Sequence, residues 1–529
     1  MVSQAEEKNS GITGTRFTPA GTPAGTLLNI NRIAAWYESN GEMERDPVTG
    51  SAGLTYPRST TNAIYCSGLV WGGKVNDGKT PVIRVGGSDY NRGVQPGRIL
   101  GMRTGQYEDP NDPNVRIWRI RRDYATADLR ADAAEYFKKN LSSISDGDIA
   151  ALRAQYQKDW LEWPVVKGAP FYDSNNDGVY TPQFDGGGNP KLYPQADEPG
   201  LANADQVLWF VCHDLTGVSQ WASPQIGLEE QTTIWAYNRE GALGNIAFKK
   251  FKLIYKGTAT TPPNATIADM YLCHWSDPDL GDPGNDFVGC DTLLNMGYVY
   301  NSTSIDKNYK PFGMVTPAMG YDFLQGPIVP SPGGSAVFDG KIRSGYKNIP
   351  MTSFIYFAGT GLYSDPPHTS AGVTQWYQMM RGLPPTPPGP PDPSPLTDPV
   401  TGTPTFFWLS GDPVTKTGWV DGSMDTPGDR RMMQNSGPFT MAVGDTQEVV
   451  VGVVGGVGDD YLSSISVMKQ NDRNVQFVYD NLFKFIPPSF TAAVSYPSAS
   501  TATILLKAST NPGNAQPSLL HSTAAMEAK

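Results

Sequence analysis

Residues 274 to 291, HWSDPDLGDPGNDFVGCD, place five aspartates, a histidine and a cysteine among two prolines and three glycines. Asp277, Asp279 and Asp282 can face one another across the Pro-Asp-Leu-Gly turn, and Asp286 or Asp291 can close the cage. Oxygen-rich clusters of this kind suit a hard cation such as calcium. Two close carboxylates are also what a glycosidase uses as acid and base. Five packed together fit a cation better, because like charges raise one another's pKa. A solvated turn is the third reading.

A second acidic loop, DSNNDGVYTPQFD at 173 to 185, has Asp173, Asn175 and Asp177 at alternate positions and then Gly178. The D-x-N-x-D-G spacing lets three side-chain oxygens converge on one ion, and the glycine turns the backbone so that the Val179 carbonyl points inward. Position twelve of an EF-hand loop, normally a glutamate, is Phe184. Asp185, or Asp197 and Glu198 beyond it, would have to supply the last carboxylate. Pro170 and Pro182 exclude the flanking helices of an EF-hand, so the alternatives are calcium in a non-EF-hand loop and an ion-free Asx turn.

Other chemistries find no template. There is no G-x-S-x-G elbow, no H-E-x-x-H, no P-loop and no G-x-G-x-x-G. The four histidines, His213, His274, His368 and His521, are scattered. None of the four cysteines (Cys66, Cys212, Cys273, Cys290) has zinc-site spacing, and four unlinked buried thiols are expected over a Cys273–Cys290 bridge. The enzymatic alternative is a glycan-active hydrolase on Asp277, Asp279 or Asp282, with Trp71, Trp209, Trp235 and Trp275 as sugar platforms. A non-catalytic carbohydrate-binding protein is the related reading.

The elements that must position these loops are mostly strands. The 529-residue chain carries 57 glycines and 45 prolines with 39% apolar residues, a mixture of short strands and many turns. A net charge of −11 argues against a nucleic-acid surface. The one basic run, RIWRIRRDY at 116 to 124, reads as a strand with a solvated basic face. No apolar run approaches the ~20 residues of a membrane helix, and the N-terminus lacks the look of a signal peptide.

Along the chain, residues 1 to 28 read as an extended arm and 29 to 40 as a short helix with Ile30, Ile33, Ala34 and Tyr37 on one face. Strands are expected at 63 to 75 and 80 to 87, an inserted α-hairpin at about 126 to 160, and strands again from 205 to 275. Residues 247 to 256 and 267 to 275 should pair as a hairpin with one wet face. The proline-rich stretch 383 to 399 is a surface loop, a linker or an SH3-type ligand. Two strands around a Gly-Asp turn follow at 437 to 456, then a helix at about 458 to 484 with Leu462, Ile465, Met468, Val475, Val478 and Leu482 buried.

ADQVLWFV (204 to 211), SDPDLGDPGNDFVGCD, GYDFLQGP (320 to 327), GDPVTKTGWVDG (411 to 422) and SGPFTMAVGDTQEVVVGVVGG (436 to 456) together resemble the N-terminal module of large, mostly uncharacterised secreted bacterial proteins that carry a type IX secretion sorting domain. The resemblance spans about residues 30 to 485 and defines no catalytic residues. It implies an extracellular or cell-surface location. The chain ends without a sorting domain, and 489 to 507 looks like the start of a further β module.

These readings add up to a mainly β protein of antiparallel β-sandwich architecture with inserted helices and long Gly/Pro-rich loops. Its parts are the arm 1–28, a β-rich module 29–485 and a strand-forming tail 486–529. The expected role is a self-assembling structural subunit with calcium-stabilised loops, a homo-oligomer or polymer joined through its terminal arms by strand addition.

Overall fold

The computed structural model describes residues 25–483 apart from 91–92, 202, 217–220, 360–362 and 386–391, together with the backbone of three later strands, Phe490–Ser498, Thr501–Ala508 and Ala525–Glu527. Most of the expected N-terminal arm, the centre of the proline-rich stretch and much of the tail lie outside the described residues.

The chain forms β1 (Gly25–Leu28), β2 (Ala34–Glu38), β3 (Cys66–Asn76), β4 (Ile83–Gly87) and β5 (Trp118–Arg121), then α1 (Arg130–Tyr136) and α2 (Asp146–Leu161). Next come β6 (Gln206–His213), β7 (Leu228–Ala236), β8 (Ile246–Tyr255), β9 (Thr266–Asp277), β10 (Asp286–Asp291), β11 (Met296–Asn301) and β12 (Ala318–Gln325). The last large elements are β13 (Ser353–Ala358), α3 (Ser370–Met380), β14 (Arg430–Ala442), β15 (Thr446–Gly456) and α4 (Tyr461–Asp480).

Two antiparallel sheets dominate. The larger runs β10–β11–β12–β15–β8–β7–β6, with β5 and the short Gln95–Pro96 strand both pairing to β6. The smaller runs β13–β14–β9–β3–β4. Side-chain alternation divides each strand of the larger sheet between two cores. Leu208, Phe210, Phe251, Leu253, Val449 and Val451 join Leu69, Trp71 and Leu272 between the sheets, while Trp275 on the other face of β9 meets Trp376 of α3. Val207, Trp209, Trp235, Phe248, Val450 and Val454 face the helices, where they meet Leu152, Trp160, Ile465, Met468, Val475 and Val478. Because both faces are covered, even polar residues of these strands such as Glu229, Glu230, Thr232 and Lys249 are buried. The fold is mainly β, as the turn-rich composition predicts.

The helices follow their local signals. α2 opens with a capping box between Ser145 and Asp148, and α4 with one between Asp460 and Ser463, each satisfying end N–H groups. Of the six residues expected to form the buried stripe of α4, Ile465, Met468, Val475 and Val478 are fully buried.

Three local expectations are overturned. The segment 29 to 40 is not a helix: Ala34–Glu38 is a strand paired with β1, Leu27 opposite Trp36. Four apolar positions at helical spacing are too few to outweigh a strand partner. The 247–256 and 267–275 segments do not pair with each other. β8 lies between β7 and β15, while β9 lies between β3 and β14 in the other sheet. Nor is the β8 face of Lys250, Lys252 and Lys256 wet: Lys250 is buried and the other two are only partly exposed. The two strands expected around the Gly-Asp turn do form, as β14 and β15, and they belong to different sheets.

The basic run is also not solvated. Arg119 pairs with Asp132 at 2.7 Å, Arg122 with Glu198 at 2.7 Å, and Arg116 with Asp159, so carboxylates from α1, α2 and the 198 region cover the strand. The four cysteines are buried and unlinked, with Cys273 in the smaller sheet and Cys290 in the larger.

Candidate cation site

The acidic stretch begins where β9 ends. Tyr65 N–H donates to the Asp277 carbonyl at 3.1 Å, and the Asn62 side-chain amide donates to the Asp279 carbonyl at 2.7 Å. These bonds fix the turn that carries both carboxylates. From about 150 residues further along, the loop before β14 brings in Asp429, held by Gly359 N–H to its carbonyl at 3.0 Å. One oxygen from each of Asp277, Asp279 and Asp429 lies within 4.8 Å of the others.

Asp286, at the first position of β10, adjoins this group. Its Oδ2 accepts from Leu280 N–H at 3.1 Å, and its carbonyl accepts from Gly428 N–H at 3.0 Å, so it ties the 279–281 turn to the 428–429 loop. Its Oδ1 is buried with no hydrogen-bond donor. Burial first, and then the Asp279 and Asp429 charges, push its carboxyl well above the usual range.

The counter-charge is Arg431 on β14. Its guanidinium reaches Asp429 at 2.9 Å, Asp277 at 3.3 Å and the half-exposed Asp365 at 3.4 Å. Tyr90 donates its hydroxyl to Asp277 at 3.0 Å and accepts from Arg431 Nε at 3.0 Å. Burial draws the Arg431 pKa down, and the surrounding acids more than reverse it. Three carboxylates, those of Asp277, Asp365 and Asp429, share this one guanidinium. Oxygen donors at these separations match the 2.3 to 2.6 Å bonds of a calcium ion, which tolerates irregular geometry.

Of the expected ligands in this stretch, Asp277, Asp279 and Asp286 therefore meet, and Asp282 and Asp291 go elsewhere. Asp282 caps a short turn through Gly284 N–H at 3.2 Å and pairs with Lys307 at 2.6 Å. Asp291 sits at the far end of β10, paired with Lys469 on α4 at 3.0 Å. A six-residue extended strand separates its ends by roughly 17 Å, which removes Asp291 from the cluster. Asp429 had no local signal, being a lone aspartate in TPGDRR.

In the 173 to 185 loop, Asp173 accepts from Asp177 N–H at 3.2 Å and from Gly178 N–H at 2.7 Å. The Asn175 amide donates to Asp177 at 2.8 Å, and Asp177 accepts from Val179 N–H at 2.8 Å. Gly178 adopts a positive φ of 75°, the conformation expected of it. Asp185 closes its own turn with Gly187 and Asn189. Asp197 is buried and accepts from Ser174 and Thr181, anchoring the base of the loop. Glu198 is committed to Arg122.

The tryptophans expected as sugar platforms are all interior: Trp71 and Trp209 are 0% exposed, Trp275 1% and Trp235 2%. His274 is a buried strand residue 3.4 Å from Lys249 Nζ.

No family model and no curated protein matches the chain. Among solved structures it is similar to the heparan sulfate lyase HepC from Pedobacter heparinus, at 7% identity and a TM-score of 0.22. That superposition covers 93% of this chain and 41% of the lyase, so the chain spans well under half of its length. A likeness so loose carries no argument about activity.

Proposed function

We propose that this chain is a calcium-braced, mainly β structural subunit of an extracellular or cell-surface assembly. The observation that supports it best is the convergence of one oxygen each from Asp277, Asp279 and Asp429, beside the donor-less buried oxygen of Asp286. An ion there would join the end of β9, the start of β10 and the loop before β14, adding to the Asp286 hydrogen bonds and the Arg431 pairs that already link them. Its role would be to stiffen the sandwich. The apolar, tightly covered sheets and the interior tryptophans favour a building block over a sugar-processing cleft. Assembly would use the terminal arms, 1–28 and the strands beyond 489, by strand addition.

The test is imaging by negative-stain electron microscopy with light scattering, in calcium and after chelation. Filaments or sheets that dissolve on chelation support both parts of the reading. A monomer under both conditions removes the assembly role, and a calorimetric titration without calcium binding removes the brace.

A further inference from the structure

Lys249 of β8 and Glu44, on the turn after β2, meet between the two sheets with both side chains 0% exposed. We propose that they are a self-modifying pair: after folding, Lys249 Nζ condenses slowly with the Glu44 side-chain carboxyl to give an amide cross-link, releasing water. Until that bond forms, the two hold an ion pair.

The backbone fixes the encounter. Met43 exchanges hydrogen bonds with Ser67 of β3 at 3.0 and 2.9 Å, Glu44 N–H donates to the Trp36 carbonyl at 2.7 Å, and the Glu44 carbonyl accepts from Gly53 N–H at 2.6 Å. These bonds hold Glu44 at a φ of 59°, a left-handed conformation that residues with a side chain rarely adopt. Its carboxyl is set against β8.

Each group the reaction needs is within reach. Nζ contacts Glu44 Oε1 off the direction of a hydrogen bond, and that oxygen has no other donor. Oε2 accepts from Ser67 Oγ and from the Tyr321 hydroxyl, the latter at 3.3 Å. His274 Nε2 lies 3.4 Å from Nζ. Burial pushes the Lys249 pKa down; burial and then the Lys249 charge push His274 far down, so the imidazole is neutral and can accept a proton. A desolvated lysine is an activated nucleophile.

Of the three ammonium protons, the first passes to Oε1 within the pair, giving an amine and a carboxylic acid, which a dry interior favours over two charges. Nζ then attacks Cδ while Ser67 and Tyr321 stabilise the charge on Oε2. His274 carries the second proton from Nζ to Oε1, the Cδ–Oε1 bond breaks, and Oε1 leaves as water. The third proton stays on the amide, and nothing is oxidised or reduced. Fixed contact supplies what a dilute amine and acid lack, an effective concentration of about 10⁵ to 10⁸ M for well-placed groups. The product staples β8 of the larger sheet to the turn that pairs with β3 of the smaller one.

The experiment is intact-mass measurement on the denatured full chain, freshly purified and after prolonged incubation, followed by peptide mapping. The chain should weigh one water less than its sequence in a fraction that grows with time, and the digest should contain a branched peptide joining Lys249 to Glu44. Lys249→Arg keeps a cation for Glu44 and should show no loss. His274→Gln should slow the growth at least tenfold. Full mass throughout, a loss that persists in Lys249→Arg, or a water loss mapping to an Asp-Gly succinimide such as Asp177-Gly178 overturns the proposal. Unchanged growth in His274→Gln overturns the proton carrier. None of these outcomes bears on calcium or on assembly through the arms.

Discussion

Asp322 on β12 and Asp472 on α4 are neighbours in the interior, and none of their four oxygens has a hydrogen-bond donor. Two neighbouring buried carboxyls without donors disfavour the doubly charged state, so the pair retains a proton. Burial, and for Asp322 the neighbouring Asp472, raise both pKa values, Asp472 to about 7 and Asp322 well above its usual range. Asp291 and Asp480 push the same way and Arg473 opposes them, while Lys469 is engaged by Asp291.

The pair makes stability fall as pH rises. The folded protein holds protons that unfolded aspartates, with a model value of 3.8, have already lost. The contribution is complete below that value and is lost as pH climbs through about 7. Urea denaturation from about pH 5 to about pH 8 should show this decline. Asp472→Asn, which supplies a permanent donor, should flatten it; an unchanged slope would refute the shared proton.

Calcium should raise the unfolding temperature, by about 2.7 kcal/mol of stability at a hundredfold excess over Kd. Asp279→Asn and Asp429→Asn should remove most of that gain, whereas Asp282→Asn and Asp291→Asn should keep it. Calorimetric thermal scans with calcium and with chelator check the set. Loss of the gain in Asp291→Asn would point to a different cage.

Lys249 and Glu44 form an ion pair with both side chains 0% exposed, and Ser67 and Tyr321 donate to the same carboxylate. Lys249→Met alone strands a buried charge and should cost about 3 to 5 kcal/mol. The double change Lys249→Met with Glu44→Gln should recover much of the loss in chemical denaturation. Additive costs would mean that the two groups act independently.

Native thiols should be inert. Burial raises all four cysteines far above the ordinary thiol value, so little thiolate exists at neutral pH. A thiol reagent should label none of them before unfolding and all four after it. Fast labelling of Cys273 or Cys290 would reveal local opening of a sheet.

The calcium-like loop at 173 to 185 shows what local sequence can encode. Its Asp-Asn-Asp-Gly spacing specifies a turn in which each side chain takes a nearby N–H, and that turn forms. The second acidic stretch shows the opposite. Five aspartates in eighteen residues suggest a single cage, yet β10 runs through the middle and carries Asp291 away toward α4.

Composition, alternation and capping residues, all properties of neighbours in the chain, determined by themselves that this protein is mainly β and where α2 and α4 start, but not the helix α3. Tertiary structure alone decided that β8 and β9 lie in different sheets, that Arg119 and Arg122 find buried carboxylates, and that Asp429 joins Asp277 and Asp279. The reason is physical. A strand covered on both faces has the same apolar pattern whichever strand it pairs with, so its partner is chosen by how the layers close over one another. The charges are then matched across whatever that closure brings together.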